Sequence, residues 1–482
     1  MQATLKLLDD ELTRRILAEA FELLMDPGVK VQSHEALDLL AAAGARVEGE
    51  IVRIPQALVR TALESTPREF FLYNRAGEPC VRYGGDAVHF DPGSCGVNVL
   101  DPVTLEHRPS QAADLLRLVQ VTECLPQYAA QSTAVTCADV PKEIGDLYRL
   151  FLVLLHSDKP VVTGAFSIPT TGVMIELLAA DSGGREALKD KPRAVFDACP
   201  SPPLHWSAFG AQSLVDLARA GVPAEIVSMP LAGATAPVTL AGSVVQHAAE
   251  CLSGIAIHQV AQPGAPVVWG GAPAIFDMRA GTTPMGAVET AMIDVAYAQV
   301  GKSLGLPTHT YLGASDSKLV DAQAGLESGV TAIIGALGGI NMISGAGMLA
   351  FLTCQSAEKL VVDAEAIAMA ERLLAGIEPR GESLATAAFA LAGLRGEFLK
   401  LKETRRLFQM EQHLPSAVID RGSVRAWQEK GAPDTFALAR ARVDELLAAY
   451  RRPGLAAERE RALFAIVTHE ASKVGMGRLP GT

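Results

Sequence analysis

Aromatic side chains are scarce here: Phe, Trp and Tyr make up 5% of the 482 residues, with only 3 Trp and 7 Tyr. An interior so poor in rings must be filled by Ala, Val, Leu and Ile packed against glycine, as in tightly wound α/β proteins. Positive charge is also short. The 42 Lys and Arg are outnumbered by 54 Asp and Glu, giving a formal charge of -12, which excludes a nucleic-acid partner, since that would need a basic stripe. The seven cysteines, at 80, 95, 124, 137, 199, 251 and 354, form no close pair, so no disulfide framework and no CxxC metal site can be drawn. No HxxH or HxxxH pair occurs among the ten histidines, and the glycine fingerprint of a dinucleotide site, the G-x-S-x-G elbow and the P-loop lysine are all missing. The N-terminal stretch carries acids from Asp9 onward and lacks an uninterrupted apolar core, so it reads as a helix, not an export signal, and the expected location is cytoplasmic. One uncharged run, Val330 to Cys354, is long enough to span a bilayer, but Gly335, Gly338, Gly339, Gly345 and Gly347 interrupt it, and no membrane span is expected.

What the chain has is an alternation. From about residue 86 a short apolar run, a turn rich in Gly, Pro, Ser or Thr, and an amphipathic helix recur. The runs are DAVHFDPG, YAAQSTAVT, PVVTGAFS, AVFDACPSP, AEIVSMPLAG, PVVWGGAPA, LPTHTYLGAS and INMISGAG. Helical stretches between them include Gln111 to Cys124, Glu143 to His156, Gly210 to Ala220, Ser243 to Val260, Ala287 to Gly305, Gln323 to Leu337 and Glu358 to Leu374. Eight strand and helix units joined by right-handed crossovers can close into a barrel, so the expected fold is an α/β protein, a (β/α)8 TIM barrel. The alternative, an open doubly wound sheet, would ordinarily carry the absent fingerprint. The barrel is expected over 86–378, after an N-terminal helical extension over 1–85 with a hairpin within Ala45 to Pro55. A C-terminal helical segment over 379–482 is expected to pack on the barrel or build an oligomer contact.

In such barrels the reactive groups project from the C-terminal ends of the strands. That rule selects His89, Asn98, Gln131, Ser132, Phe166, Ser167, Ser201, His205, Trp206, Met229, Thr235, Trp269, Phe276, Tyr311, Asp316, Lys318 and Ser344. Two of the three tryptophans fall in this set. Aromatic faces stabilise a cation that cannot donate hydrogen bonds, each by about 0.5–2 kcal/mol, so the rings point to a quaternary ammonium pocket; capping of the barrel core is the other reading of any single ring. Three strand-end histidines, His89, His205 and His309, would form a metal site only if they converged, and no metal is expected.

Four segments at these turns, MPLAGATAPVTLAG (Met229 to Gly242), DMRAGTTPMG (Asp277 to Gly286), SDSKLVDAQAGLE (Ser315 to Glu327) and GAGML (Gly345 to Leu349), resemble the trimethylamine methyltransferase family, in its branch lacking pyrrolysine, typified by glycine betaine methyltransferases. Weaker similarity covers essentially the whole chain. The resemblance implies a methylated amine as donor and, as acceptor, a corrinoid (cobalamin) carried by a separate protein that docks at the barrel mouth, with no cofactor tightly bound to this chain and a homo-oligomeric assembly. A quaternary ammonium leaves as a neutral tertiary amine, so the protein need only bind and aim, without acid or base help. On that basis Trp206, Trp269, Tyr311 and Phe166 are expected to line the ammonium pocket, and Lys318 or Asn98 to hold a substrate carboxylate. Asp316, Ser317 and Lys318 with Asp321 read equally as a polar network shaping their loop. The family pattern has a histidine just before GAGML where this chain has Ser344, and the smaller side chain suits a betaine bulkier than glycine betaine, such as proline betaine, carnitine or a butyrobetaine. Other functions remain open: transfer from a tertiary amine or sulfonium, a non-catalytic betaine-binding or regulatory protein, or, least favoured, a lyase using Lys318, whose acidic neighbours oppose the low pKa a Schiff base needs.

Overall fold

The computed structural model describes residues 3–482. Eight short strands form the barrel: β1 (His89–Pro92), β2 (Gln131–Ser132), β3 (Val161–Thr163), β4 (Ala194–Ala198), β5 (Ala224–Ser228), β6 (Val267–Gly271), β7 (His309–Thr310) and β8 (Met342–Ala346). Strands β2 to β6 pair in parallel, each with the next, and β7 pairs with β8 and β8 with β1 in the same sense. Trp269 bridges Thr308 to join β6 to β7, and the Ala129 amide donates to the Phe90 carbonyl at 2.9 Å to close β1 on β2. Each apolar run of the sequence therefore supplies one strand, and the sheet closes instead of spreading open.

The helices between strands start where their sequence caps them. Thr239, Asp321 and Ser356 each accept an amide from the first turn, opening Leu240–Ala261, Ala322–Leu337 and Ala357–Leu374. A helix absent from the sequence reading, Ile168–Ser182, follows β3; Ser167 caps it and Pro169 sits in its first turn, where a proline loses no hydrogen bond. Leu240–Ala261 is long and apolar enough to cross a membrane, but 78% of its apolar window is buried within the protein. The uncharged run Val330 to Cys354 divides into the end of a helix, β8 and the short strand Met348–Leu349.

Before the barrel, Arg46–Glu48 and Ile51–Arg53 pair as the expected antiparallel hairpin. A second hairpin, Phe70–Tyr73 with Pro79–Tyr83, closes the N-terminal end of the barrel: its Leu72, Val81 and Tyr83 form one buried cluster with Ala130, Val162, Val195, Val268 and Met342. After the barrel, Thr435–Ala449 buries Ala439, Val443 and Leu446, and Ala457–Lys473 buries Leu463, Val467 and Ala471.

Strand parity sorts the side chains. Val195 and Asp197, Val268 and Gly270, and Met342 and Ser344 point inward, so Phe196, Trp269 and Ile343 point out into the helix layer. Trp269 and Trp206 are accordingly not pocket residues. Both are fully buried; the Trp269 indole donates to the Tyr297 carbonyl at 3.0 Å and that of Trp206 to Ser253 Oγ at 2.9 Å. Helical glycines make room for them. A Cβ on Gly301 would lie 2.6 Å from Trp269 Cδ1, and one on Gly254 2.6 Å from Trp206 Cζ2. Gly301→Ala is expected to destabilise the fold by about 1–3 kcal/mol through overpacking, outweighing the better helix propensity of Ala; a lowered urea midpoint checks this, and an unchanged or raised one refutes it.

Candidate functional site

Above the apolar stopper, the barrel interior turns polar. Asp91 on β1 stands in register with Ser344 on β8, and Asp197 on β4 with Glu225 on β5. His309 on β7 lies between: its Nδ1 is 3.1 Å from Glu225 Oε1 and its Nε2 3.0 Å from Ser344 Oγ, whose hydroxyl donates to Asp91 Oδ1. A Cβ on Gly270 would come 3.0 Å from His309 Nδ1 and 3.1 Å from Glu225 Cγ, so the glycine of β6 is what admits this pair. Tyr83, from the stopper, donates to Glu225 Oε2 at 3.3 Å. One layer nearer the mouth, the Tyr311 hydroxyl donates to Asp197 Oδ2 and meets Ser94 Oγ, both at 2.9 Å.

Burial fixes the protonation states. It pulls His309 down to about 3, so the ring is neutral. Ser344 spends its proton on Asp91, so its oxygen accepts from His309 Nε2–H, and Nδ1 is left as a bare acceptor. Glu225 is neutral: burial, reinforced by the charge of Asp197, raises its carboxyl well above the usual range, and its proton goes to Asp197, so His309 Nδ1 has no hydrogen-bond partner. Asp91 is also raised well above that range by burial. Asp197 differs, because donors and a cation surround it. Burial pushes it up to about 6, but hydrogen bonds from Glu225 and Tyr311 and the nearby Arg149 charge hold it there, so it is the carboxylate of this group that is ionised at neutral pH.

The remaining sequence candidates do not join this group. Phe166 is 49% exposed, with the buried Arg149 guanidinium 4.5 Å from its ring centre. Lys318 is exposed; its Nζ donates to the Asp316 carbonyl at 2.7 Å and lies 4.3 Å from the Phe351 ring centre. Asp316 accepts the amides of Met285 and Gly286 at 2.8 and 3.0 Å, and Ser317 Oγ donates to Asp321, so this carboxylate ties two loops together and is not presented to a ligand. Asn98 half-surfaces in a small sheet beside the mouth, paired with Pro109 and Cys354. Ser344 is 1% exposed and fully engaged, so it acts on His309 and Asp91 and not on a ligand directly. The three histidines do not meet: His89 Nε2 accepts the Arg82 amide and His205 pairs with Gln32, and no metal-holding cluster occurs among the described residues. Sequence reasoning missed Asp91, Asp197 and Glu225. Their signal was an acid set among apolar residues: Asp197 and Glu225 are each the one acid of their run, and Asp91 follows Phe90 in a run whose other acid, Asp86, opens it.

A closed barrel that gathers its ionisable groups toward the C-terminal ends of its strands is built as an enzyme site for a small molecule. The particular family follows from comparison: the chain belongs to the trimethylamine methyltransferases, whose family model matches residues 1–475. It is 32% identical to the trimethylamine methyltransferase of Methanosarcina thermophila over 459 residues, covering 92% of this chain and 93% of that one. It is 30% identical to a glycine betaine methyltransferase of Desulfitobacterium hafniense strain Y51, covering 97% of this chain and 98% of that one. The monomethylamine methyltransferase of Methanosarcina barkeri shares the fold, with a TM-score of 0.55 at 12% identity over 94% of this chain and 89% of that one. The segments that carried the resemblance in the sequence follow the ends of β5, β6, β7 and β8.

Proposed function

We propose that this chain transfers a methyl group from a betaine-like quaternary amine to a corrinoid carried by a separate protein. The observation that supports it is the ionised carboxylate Asp197, set with the Tyr311 phenol beside the neutral Glu225, Asp91 and His309: a seat for one cation. Phe166 adds a ring face at the rim, and Lys318, an exposed cation in the loop after β7, would meet a donor's carboxylate. When bound, the corrinoid supplies a two-electron nucleophile for the methyl carbon. The electron pair of the broken C–N bond stays on nitrogen, which leaves as a neutral tertiary amine. As that positive charge fades, a strong grip would favour the ground state over the transition state; one carboxylate, partly offset by Arg149, keeps the grip moderate.

The test mixes the protein with Co(I) cobalamin or a cognate corrinoid protein and follows the visible spectrum as betaines are added singly. Methylation of the corrinoid with one betaine, and release of its demethylated amine, supports the reading. Binding by calorimetry without methylation would favour a betaine-binding protein instead. One observation favours a second donor class. A tertiary amine bound neutral needs a proton as its C–N bond breaks, and Glu225 holds one directly behind Asp197.

Because Asp197 titrates at about 6, affinity for a quaternary cation is expected to be flat above pH 7. Below about pH 6 it should fall up to tenfold per unit as the carboxylate takes up its proton. Isothermal titration from pH 5 to 8 checks this, and a flat profile would remove Asp197 from the cation seat.

A further inference from the structure

Residues 376–415 leave the body of the protein as an arm. Its elements, the helix Thr386–Ala392, two single 3-10 turns and the helix Lys402–Glu411, contain no buried residue. Large apolar side chains stand in solvent along it: Ile377 is 97% exposed, Leu384 83%, Leu394 102% and Leu399 85%. Helices this short hold poorly alone, and large apolar side chains left this exposed along one segment mark a surface for a partner. The arm's own contacts are few: Phe389 meets Phe398 edge-on at 5.1 Å, and Arg372 and Arg380 bind Glu411.

Where the arm rejoins the body, the Ser416 amide donates to Glu365 Oε1 at 3.0 Å. Glu365 also lines a groove of about 560 Å³ between the helices Ala322–Leu337 and Ala357–Leu374 and the start of Thr435–Ala449. The groove wall is apolar, with Ile333, Val362, Met369 and Phe436, and its charged residues are all acids, Asp321, Glu365 and Asp434. Glu365 is 5% exposed, and its Oε2 and His413 Nε2, 3.6 Å apart, both lack a hydrogen-bond partner. No lysine or arginine lines the groove to balance its three acids.

The arm carries what the groove lacks. On the helix Lys402–Glu411, Arg405 and the exposed Phe408 share one face at a spacing of three, with Lys402 and Arg406 beside them. We propose that the helix Lys402–Glu411 of a second copy of this chain seats in the groove, Phe408 entering the apolar wall and Arg405 reaching Glu365 and Asp434. Since each arm starts at the edge of its own groove, two copies facing groove to groove exchange arms reciprocally, and the contact closes with none left over.

Light scattering on the full chain at micromolar concentration tests this, with Phe408→Glu on the arm and Met369→Glu in the groove, both exposed enough to leave the fold intact by circular dichroism. The expected result is an assembly whose subunits part with either substitution, the dissociation constant rising at least 100-fold. An oxidised Arg405→Cys/Asp434→Cys pair should also link two chains. A monomeric parent protein, or an assembly of any size that is indifferent to either substitution, overturns the proposal.

Discussion

Asp197→Asn is expected to lower kcat/KM for a quaternary donor on the order of 100-fold, while Glu225→Gln on the adjacent strand changes it by less than about fivefold. The contrast follows from charge. Asp197 is the ionised member of the buried group, and removing a unit charge about 4 Å from a cation in a partly screened site costs up to about 4 kcal/mol, less what the cation regains from water. Glu225 is already neutral, and glutamine keeps a donor toward Asp197 and an acceptor toward Tyr83, so little is lost. Steady-state kinetics of both variants with a betaine and with trimethylamine separate the donor classes. A large loss in Glu225→Gln confined to the tertiary amine identifies Glu225 as its proton source, and an active Asp197→Asn enzyme with unchanged KM refutes the cation seat.

Asp181→Ala is expected to be the most destabilising of these substitutions, by about 3–5 kcal/mol. Asp181 is fully buried and binds two guanidiniums at once, Arg75 Nε at Oδ1 and Arg193 Nε at Oδ2, each at 2.9 Å. Its carbonyl also takes Arg459 from the C-terminal helix at 2.8 Å. One carboxylate thus joins the stopper hairpin, the start of β4 and the helix Ile168–Ser182. Without it, two buried cations lose their counter-charge, and burial already opposes the charge on Arg193. Asp181→Asn, which keeps the shape and an acceptor, should lose less. A large drop in the urea midpoint for Ala and a smaller one for Asn is the expected series; equal, small losses would show that Asp158, near Arg193, suffices as the counter-charge.

The fold was legible because a closed parallel barrel buries both faces of each strand, so its strands appear as unbroken apolar runs at nearly even spacing. The helix Ile168–Ser182 escaped notice because Ser167, Pro169, Thr170 and Thr171 read as a turn, although they are a cap and a first turn. The site was less legible. Nearness to a strand end does not say which way a side chain points, and Trp269 lies one residue out of phase with the inward Val268 and Gly270. Period-two counting along VVWGG was enough to turn it outward. The same counting along VFDA and AEIV places Asp197 and Glu225 inside, where a lone acid among apolar neighbours must serve either a partner or a ligand. The protonation order of Glu225, His309, Ser344 and Asp91 was out of reach, since it depends on contacts between strands far apart in sequence.

The hairpin of Leu72, Val81 and Tyr83 makes the barrel a vessel with one neck. Whatever enters must leave by the same opening. Where the corrinoid protein of the proposed reaction seats there, the donor has to go in before it and the spent amine come out after it, so an excess of that partner is expected to slow initial rates instead of saturating them.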